Sequence, residues 1–151
     1  MKTLRILHVD NAPEWLKGVC QVLQTQKVQG VVPSVVWAMS CEEALQELKG
    51  RDKPDVIIQD LFMGHGDSDR LFRGERLKAF EVIGRAAVHH VPCVILSNVG
   101  RLGKDQSAKE FQAGLMSRTG ASAYVTKDEY DETEGKALVG TLERLLTADK
   151  Q

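Results

Sequence analysis

The feature that most constrains this chain is Asp55-Val56-Ile57-Ile58-Gln59-Asp60, an apolar run without polar alternation that stops on an amide and a carboxylate. A strand with one wetted face alternates apolar and polar side chains. An unbroken apolar strand has both faces covered, which is the condition of a central strand in a parallel sheet. Gly50 to Pro54 interrupt the chain before it, and a polar, glycine-rich stretch from Gly64 to Gly74 follows.

The same unit recurs along the sequence. Leu4 to Val9 is a short apolar run ending at Asp10-Asn11, and Pro13 then suits the first turn of a helix. Leu16, Val19, Cys20 and Leu23 follow at the spacing of one helical face. Val35 to Ala38 is a second strand, and Ser40 to Glu43 reads as a capping box opening a helix through Ala44, Leu45 and Leu48. Beyond Asp60, a helix with Leu77, Phe80, Ile83 and Ala87 inward leads to the strand Pro92 to Leu96, which ends at Ser97. A second polar loop, Gly100 to Gln106, precedes a helix around Ala108, Phe111, Leu115 and Met116 that stops near Gly120. Ala123 to Val125 is a fifth strand ending near Lys127, and Leu138, Leu142, Leu145 and Leu146 face inward on the last helix. Five strands alternating with five helices predict an α/β domain: a mostly parallel sheet with helices on both faces.

Composition removes several classes of function. With 42% hydrophobic and 27% charged residues, the chain of 151 residues is expected to fold as one globular domain over 1–151. Twenty basic against 21 acidic residues give no general attraction to nucleic acid or to an acidic membrane. No secretory signal fits the start, and no apolar run approaches a membrane span. Cys20, Cys41 and Cys93 are widely spaced without a CxxC pair, so they read as reduced thiols and the chain as cytoplasmic. No glycine-rich phosphate loop, zinc spacing or Ser-His-Asp set is present. His65, Asp67 and Asp69 lack the rest of a calcium loop and read as a solvated loop. His89-His90 reads as a helix end, and Trp15 and Trp37 as packing residues in or near the core.

In a doubly wound sheet, ligands bind beyond the carboxyl ends of the strands. The polar residues there are Asp10 and Asn11, Asp60, Ser97 and Lys127. Two carboxylates at one edge repel unless a cation stands between them; Lys127 offers one charge, and Mg²⁺ is a second source.

Val9-Asp10-Asn11, Asp55 to Asp60, Val94 to Ser97 and Ala121 to Lys127 together resemble the signature segments of response-regulator receiver domains, in order and along essentially the whole chain. The resemblance implies a flavodoxin-like (βα)₅ fold, a doubly wound five-stranded parallel sheet. It implies that Asp60 is the phosphoacceptor, that Asp10 and the backbone carbonyl of Phe62 join it in holding Mg²⁺, and that Lys127 and the Ser97 hydroxyl meet the phosphoryl group. Tyr124 matches the aromatic that swings inward with that hydroxyl. A receiver is not a classical enzyme, though it catalyses its own phosphorylation and dephosphorylation. The implied partners are a histidine kinase or phosphotransfer protein and an effector or second copy on the face of helix four, strand five and the last helix. That helix is expected to finish near Thr147, and no DNA-binding module is expected after it.

The chain departs from the receiver pattern at definite places. Asn11 stands where receivers carry a second acid; its amide oxygen still suits Mg²⁺, with one negative charge fewer, while an Asn before Ala-Pro is also a natural helix cap or turn residue. Asp128 replaces the cis proline that follows the lysine, so a trans bond is expected and a different seat for Lys127. Asn98 narrows access beside Ser97, and both flanking loops are expanded. These departures favour a rival reading, a pseudo-receiver that keeps the fold as an interaction module without phosphoryl chemistry. A flavin-binding protein has the least support, because no phosphate-binding loop follows strand one. Phe62 and Val99 fall at the positions that tune water attack on the acyl phosphate, and both are apolar. The expected outcome is a slow loss of phosphate from Asp60; a half-life as short as that of fast chemotaxis-type receivers, measured by loss of the phosphate-mass adduct, would contradict it.

Overall fold

The computed structural model describes residues 3–61, 69–97 and 106–148, the side chains of 69–77 and 106–108 apart. Its elements are β1 (Arg5–Val9), α1 (Pro13–Gln26), β2 (Ser34–Ala38), α2 (Cys41–Lys49), β3 (Val56–Gln59), α3 (Asp69–Val88), β4 (Cys93–Ser97), α4 (Gln106–Thr119), β5 (Ala123–Thr126), α5 (Lys127–Glu132) and α6 (Lys136–Ala148). The five strands form one sheet in the order β2-β1-β3-β4-β5, with every pairing parallel. This is the flavodoxin-like architecture expected from the sequence. Strand order reverses between β1 and β3, so the crevice for a ligand opens where Asp10 and Asp60 emerge.

Strand periodicity divides the core in two. Leu7, Val9, Ile57, Cys93 and Ile95 face α2 and α3, packed by Cys41, Ala44, Leu48, Ala79, Val82, Ile83 and Ala86. Ile6, Val56, Ile58, Val94, Leu96 and Val125 face the other way, against Val19 and Leu23 of α1 and Leu138, Val139, Leu142 and Leu146 of α6. All residues of β3 and β4 are buried, as an unbroken apolar strand requires. No helix among the described residues is long and apolar enough to cross a membrane. Cys20, Cys41 and Cys93 form no disulfide, and burial pushes the Cys93 thiol up to about 12.

Some local expectations are corrected. Of the inward face expected on α3, Ile83 is buried and Phe80 packs partly buried against the core, while Ala87 is exposed and the Leu77 side chain lies outside the described residues; Ala79, Val82 and Ala86 complete the buried stripe. Two of these are alanines, small side chains that ranking by bulk overlooks. Phe111 and Trp37 are exposed, Trp37 because β2 is an edge strand covered on one side only in part. Ser40 caps α2 by accepting from the Glu43 N–H at 3.2 Å, but the Glu43 carboxylate takes the N–H of Met39, one residue earlier than a capping box requires. A complete capping box occurs instead at Thr126 and Glu129, and it opens α5, a sixth helix not expected from the sequence.

Gly135 turns the chain from α5 into α6. Its φ is +86°, its N–H donates to the Tyr130 carbonyl at 2.8 Å, and its own carbonyl accepts from Leu138 and Val139. A Cβ there would lie 2.6 Å from Val22 Cγ1 and 3.3 Å from Tyr130 Cε2. Gly140, within α6, has open space around its missing Cβ. Gly135→Ala is therefore expected to cost about 2 kcal/mol or more in urea denaturation, while Gly140→Ala is neutral or stabilising by up to about 1 kcal/mol. Equal effects of the two would refute this account of the turn.

His8 is the polar exception on the α1–α6 face of the sheet: it is fully buried, and neither ring nitrogen has a hydrogen-bond partner. Burial first, and the Lys127 charge second, lower its pKa from 6.5 to about 3. Above about pH 6.5 the ring is neutral whether folded or unfolded. As pH falls, the unfolded chain takes the proton and the folded chain does not until about 3, so stability declines through that window. Between about pH 7 and pH 5 the loss from this group is on the order of 2 kcal/mol. His8→Phe is expected to remove that component from the acid limb of the stability profile; an unchanged slope would show that His8 does not set it.

Candidate functional site

The site begins with the turn after β1. The Asp10 N–H donates to the Ala38 carbonyl at 3.0 Å, and its Oδ1 accepts the Ala12 N–H at 2.9 Å. Ala12 is the N-cap of α1 and has no side-chain cap of its own. Asp10 thus closes the turn that Pro13 continues as a helix. Asn11 is exposed, and the reading of Asn11 as the helix cap is overturned, because the cap position falls one residue later. Asp60 leaves β3 beside Asp10, tied by its N–H to the Val9 carbonyl at 2.9 Å. Beneath it, the Gln59 amide donates to the Asp60 carbonyl at 2.7 Å.

Lys127 reaches both acids. Its ammonium lies 3.2 Å from Asp10 Oδ2 and 3.4 Å from Asp60 Oδ1, and all three residues are buried. A cation in the first turn of a helix is opposed by the backbone dipole, so the two carboxylates, not α5, hold it there. Asp128 and Glu129 follow it with the charge that the helix start favours. No peptide bond among the described residues is cis, as expected with Asp128 after Lys127. The ammonium also lies 4.5 Å from the centroid of the Trp15 ring.

Ser97 ends β4, buried beside Asp60's strand and in register with Thr126 of β5. Tyr124 shares a hydrogen bond with Ser97. Burial, followed by the negative charge of Asp60, raises the Tyr124 phenol, while the Ser97 bond works in the opposite direction. The phenol therefore stays protonated beside the acids, half-buried against the α2–α3 core.

The structure thus brings together Asp10, Asp60, Lys127, Ser97 and Tyr124, and leaves Asn11 at the exposed rim. Phe62, Asn98, Val99, both expanded loops and the His65–Asp67 segment lie outside the described residues, as does the Asp69 side chain. No cluster of three His, Cys, Asp or Glu residues with metal-site geometry occurs among the described residues. The convergent oxygens of Asp10 and Asp60, with the Asn11 amide close in sequence, are nevertheless the hard donor type that Mg²⁺ takes. They fit that ion in kind, with Lys127 already bonded to both carboxylates.

Trp15 packs partly buried against the α1–α6 core, as expected, and its ring also borders the site at Lys127, which the hydrophobic pattern did not indicate. The available signal was position: the first turn of the helix that follows Asp10 must border the same crevice. Tyr130 was missed with it, and it meets the Trp15 ring edge-on at 5.3 Å.

No family model and no curated protein matches this chain. Solved structures do. A chain in the complex of the CheA3 P1 domain with CheY6 from R. sphaeroides is 21% identical, with 97% of this chain and 99% of that one covered at a TM-score of 0.67. The BeF3-activated DrrB receiver domain is 19% identical over 97% of this chain and 99% of its own, with a TM-score of 0.63. The response regulator domain of Thermotoga maritima CheB is 18% identical over 97% and 98%, also at 0.63. With its strand order and near-complete coverage in both directions, the chain has the fold of response-regulator receiver domains.

Proposed function

We propose that this chain is a phosphorylation-dependent signalling switch that accepts a phosphoryl group on Asp60. The observation that carries the reading is one buried ammonium, Lys127, bonded to both Asp10 and Asp60 at the switch point of the sheet. A carboxylate oxygen of Asp60 attacks the phosphorus of a phosphohistidine or small acyl phosphate. The bond from phosphorus to the donor nitrogen or oxygen breaks, its electron pair leaves with the donor, and an aspartyl phosphate forms.

The negative charge then lies on the phosphoryl oxygens, beyond the carboxylate where Lys127 sits in the unmodified chain. Lys127 follows that charge, and the Ser97 hydroxyl exchanges Tyr124 for a phosphoryl oxygen. Both groups gain a contact that exists only in the modified state, which is what allows modification to shift a conformational equilibrium. Mg²⁺, held by Asp10 and Asp60 with the Asn11 amide and the Phe62 carbonyl, would supply charge neutralisation at the transferring group.

The similarity to a chain solved with the CheA3 P1 domain favours a histidine kinase or phosphotransfer protein as donor. The face of α4, β5 and α6, with Phe111 exposed on α4, is the proposed seat of an effector or second copy. The chain is read as a single cytoplasmic domain that signals by protein contact. The rival pseudo-receiver reading is favoured by Asn11, which is exposed and stands where receivers carry a second acid, and by Asp128 after Lys127.

Acetyl phosphate with Mg²⁺ decides between them. The expected result is a phosphate-mass adduct on the wild-type chain that is absent from Asp60→Asn. No adduct on the wild type, with no Mg²⁺-dependent beryllofluoride binding, would establish the pseudo-receiver.

A further inference from the structure

Lys127 is held from three sides, and only two of them are charged. The third is the indole face of Trp15, 4.5 Å from the ammonium. Trp15 is in turn fixed by Tyr130, whose ring meets it edge-on at 5.3 Å and 62°. Lys127 and Tyr130 lie three apart on α5, so they share one helix face. The same helical turn therefore delivers the cation and the aromatic that orients the cation's seat.

The attraction between an ammonium and an indole face strengthens when water is excluded, and here Lys127 is 5% exposed. A divalent ion entering between Asp10 and Asp60 needs their oxygens at about 2.1 Å, where Lys127 now bonds them. Two carboxylates cannot neutralise an ammonium and a divalent ion together, and Asn11 adds no charge. Ion entry therefore competes with the ammonium for the carboxylates that, with Trp15, seat it.

We infer that Trp15 is a positioning residue that seats Lys127 between Asp10 and Asp60, making the ammonium a built-in rival of the divalent cation at those oxygens. The inference deepens the phosphoacceptor reading and relies on it only for the purpose of the site, since the competition exists without phosphoryl transfer. Trp15 sets how readily the chain becomes loaded with metal, and so when it becomes competent.

The test is Mg²⁺ titration of the unphosphorylated full chain by calorimetry, in wild type, Trp15→Leu and Trp15→Phe. Loss of the aromatic face is expected to tighten Mg²⁺ binding about tenfold in Trp15→Leu, while Trp15→Phe stays near wild type. Equal affinities in all three, or no binding heat in any, overturn the inference. A second measurement avoids disturbing Trp15. In Trp37→Phe it is the sole tryptophan, and its emission is expected to change on Mg²⁺ saturation, a change that Lys127→Met abolishes while Mg²⁺ still binds. Unchanged emission at saturation overturns the inference as well. A chain that fails to take phosphate on Asp60 yet shows these Mg²⁺ effects loses the phosphoacceptor reading and keeps this one.

Discussion

Two carboxylates at a buried sheet edge require a cation, and the rest of this site is arranged around meeting that requirement. Asp10 and Asp60 are brought together by the reversal of strand order between β1 and β3. Removing both from water costs several kcal/mol per charge, an amount recovered only where the pairing geometry is good. Lys127 supplies the pairing at 3.2 and 3.4 Å. Its position depends on where β5 ends, and the Thr126–Glu129 capping box fixes that end. A backbone device at the mouth of α5 thus sets the electrostatics at β3 and β1, two and three strands away across the sheet.

The dependence extends into the core. Tyr130 packs with Leu138 and Leu142 on the α1–α6 side, and Gly135 donates its N–H to the Tyr130 carbonyl while leaving room for the Tyr130 ring. Tyr130 then holds Trp15, and Trp15 faces Lys127. On the opposite side of the sheet, Tyr124 packs against the α2–α3 core while its phenol is shared with Ser97. The site therefore has an aromatic residue on each side. One bears on the cation and the other on the hydroxyl.

Much of this was legible in the sequence because strands report themselves simply. An unbroken apolar run such as Val56-Ile57-Ile58 has one physical explanation, and the polar residue that ends it necessarily lies at the ligand edge. Asp10, Asp60, Ser97 and Lys127 were found that way. Features set by contacts between distant segments could not be found by period. The buried stripe of α3 includes alanines, which side-chain bulk does not mark out. Lys27 and Gln29 take left-handed backbone conformations without being glycine. Gln29 is held by the Glu143 carboxylate at 2.8 Å and the Thr147 hydroxyl at 2.9 Å, far along the chain on α6. Glu43 was assigned to the right helix start but bonds Met39, a choice made by local geometry that the motif alone does not specify.

The departures from the receiver pattern acquire a common physical sense at Lys127. With Asn11 in place of an acid, the crevice carries less negative charge, and the ammonium has fewer carboxylates to hold it. With Asp128 in place of proline, the residue after the lysine keeps its N–H and can begin a helix at once, which α5 does. That helix turns Tyr130 beneath Trp15, and the aromatic face supplies attraction where charge has been lost. An aromatic seat differs from a carboxylate in one functional respect: it attracts the ammonium without offering a ligand to a metal ion. A second acid at position 11 would favour both cations, whereas Trp15 favours only one. On the proposed function, the balance at Asp10 and Asp60 therefore lies towards the state in which Lys127 occupies them, and a metal ion or phosphoryl group there would act against the lysine.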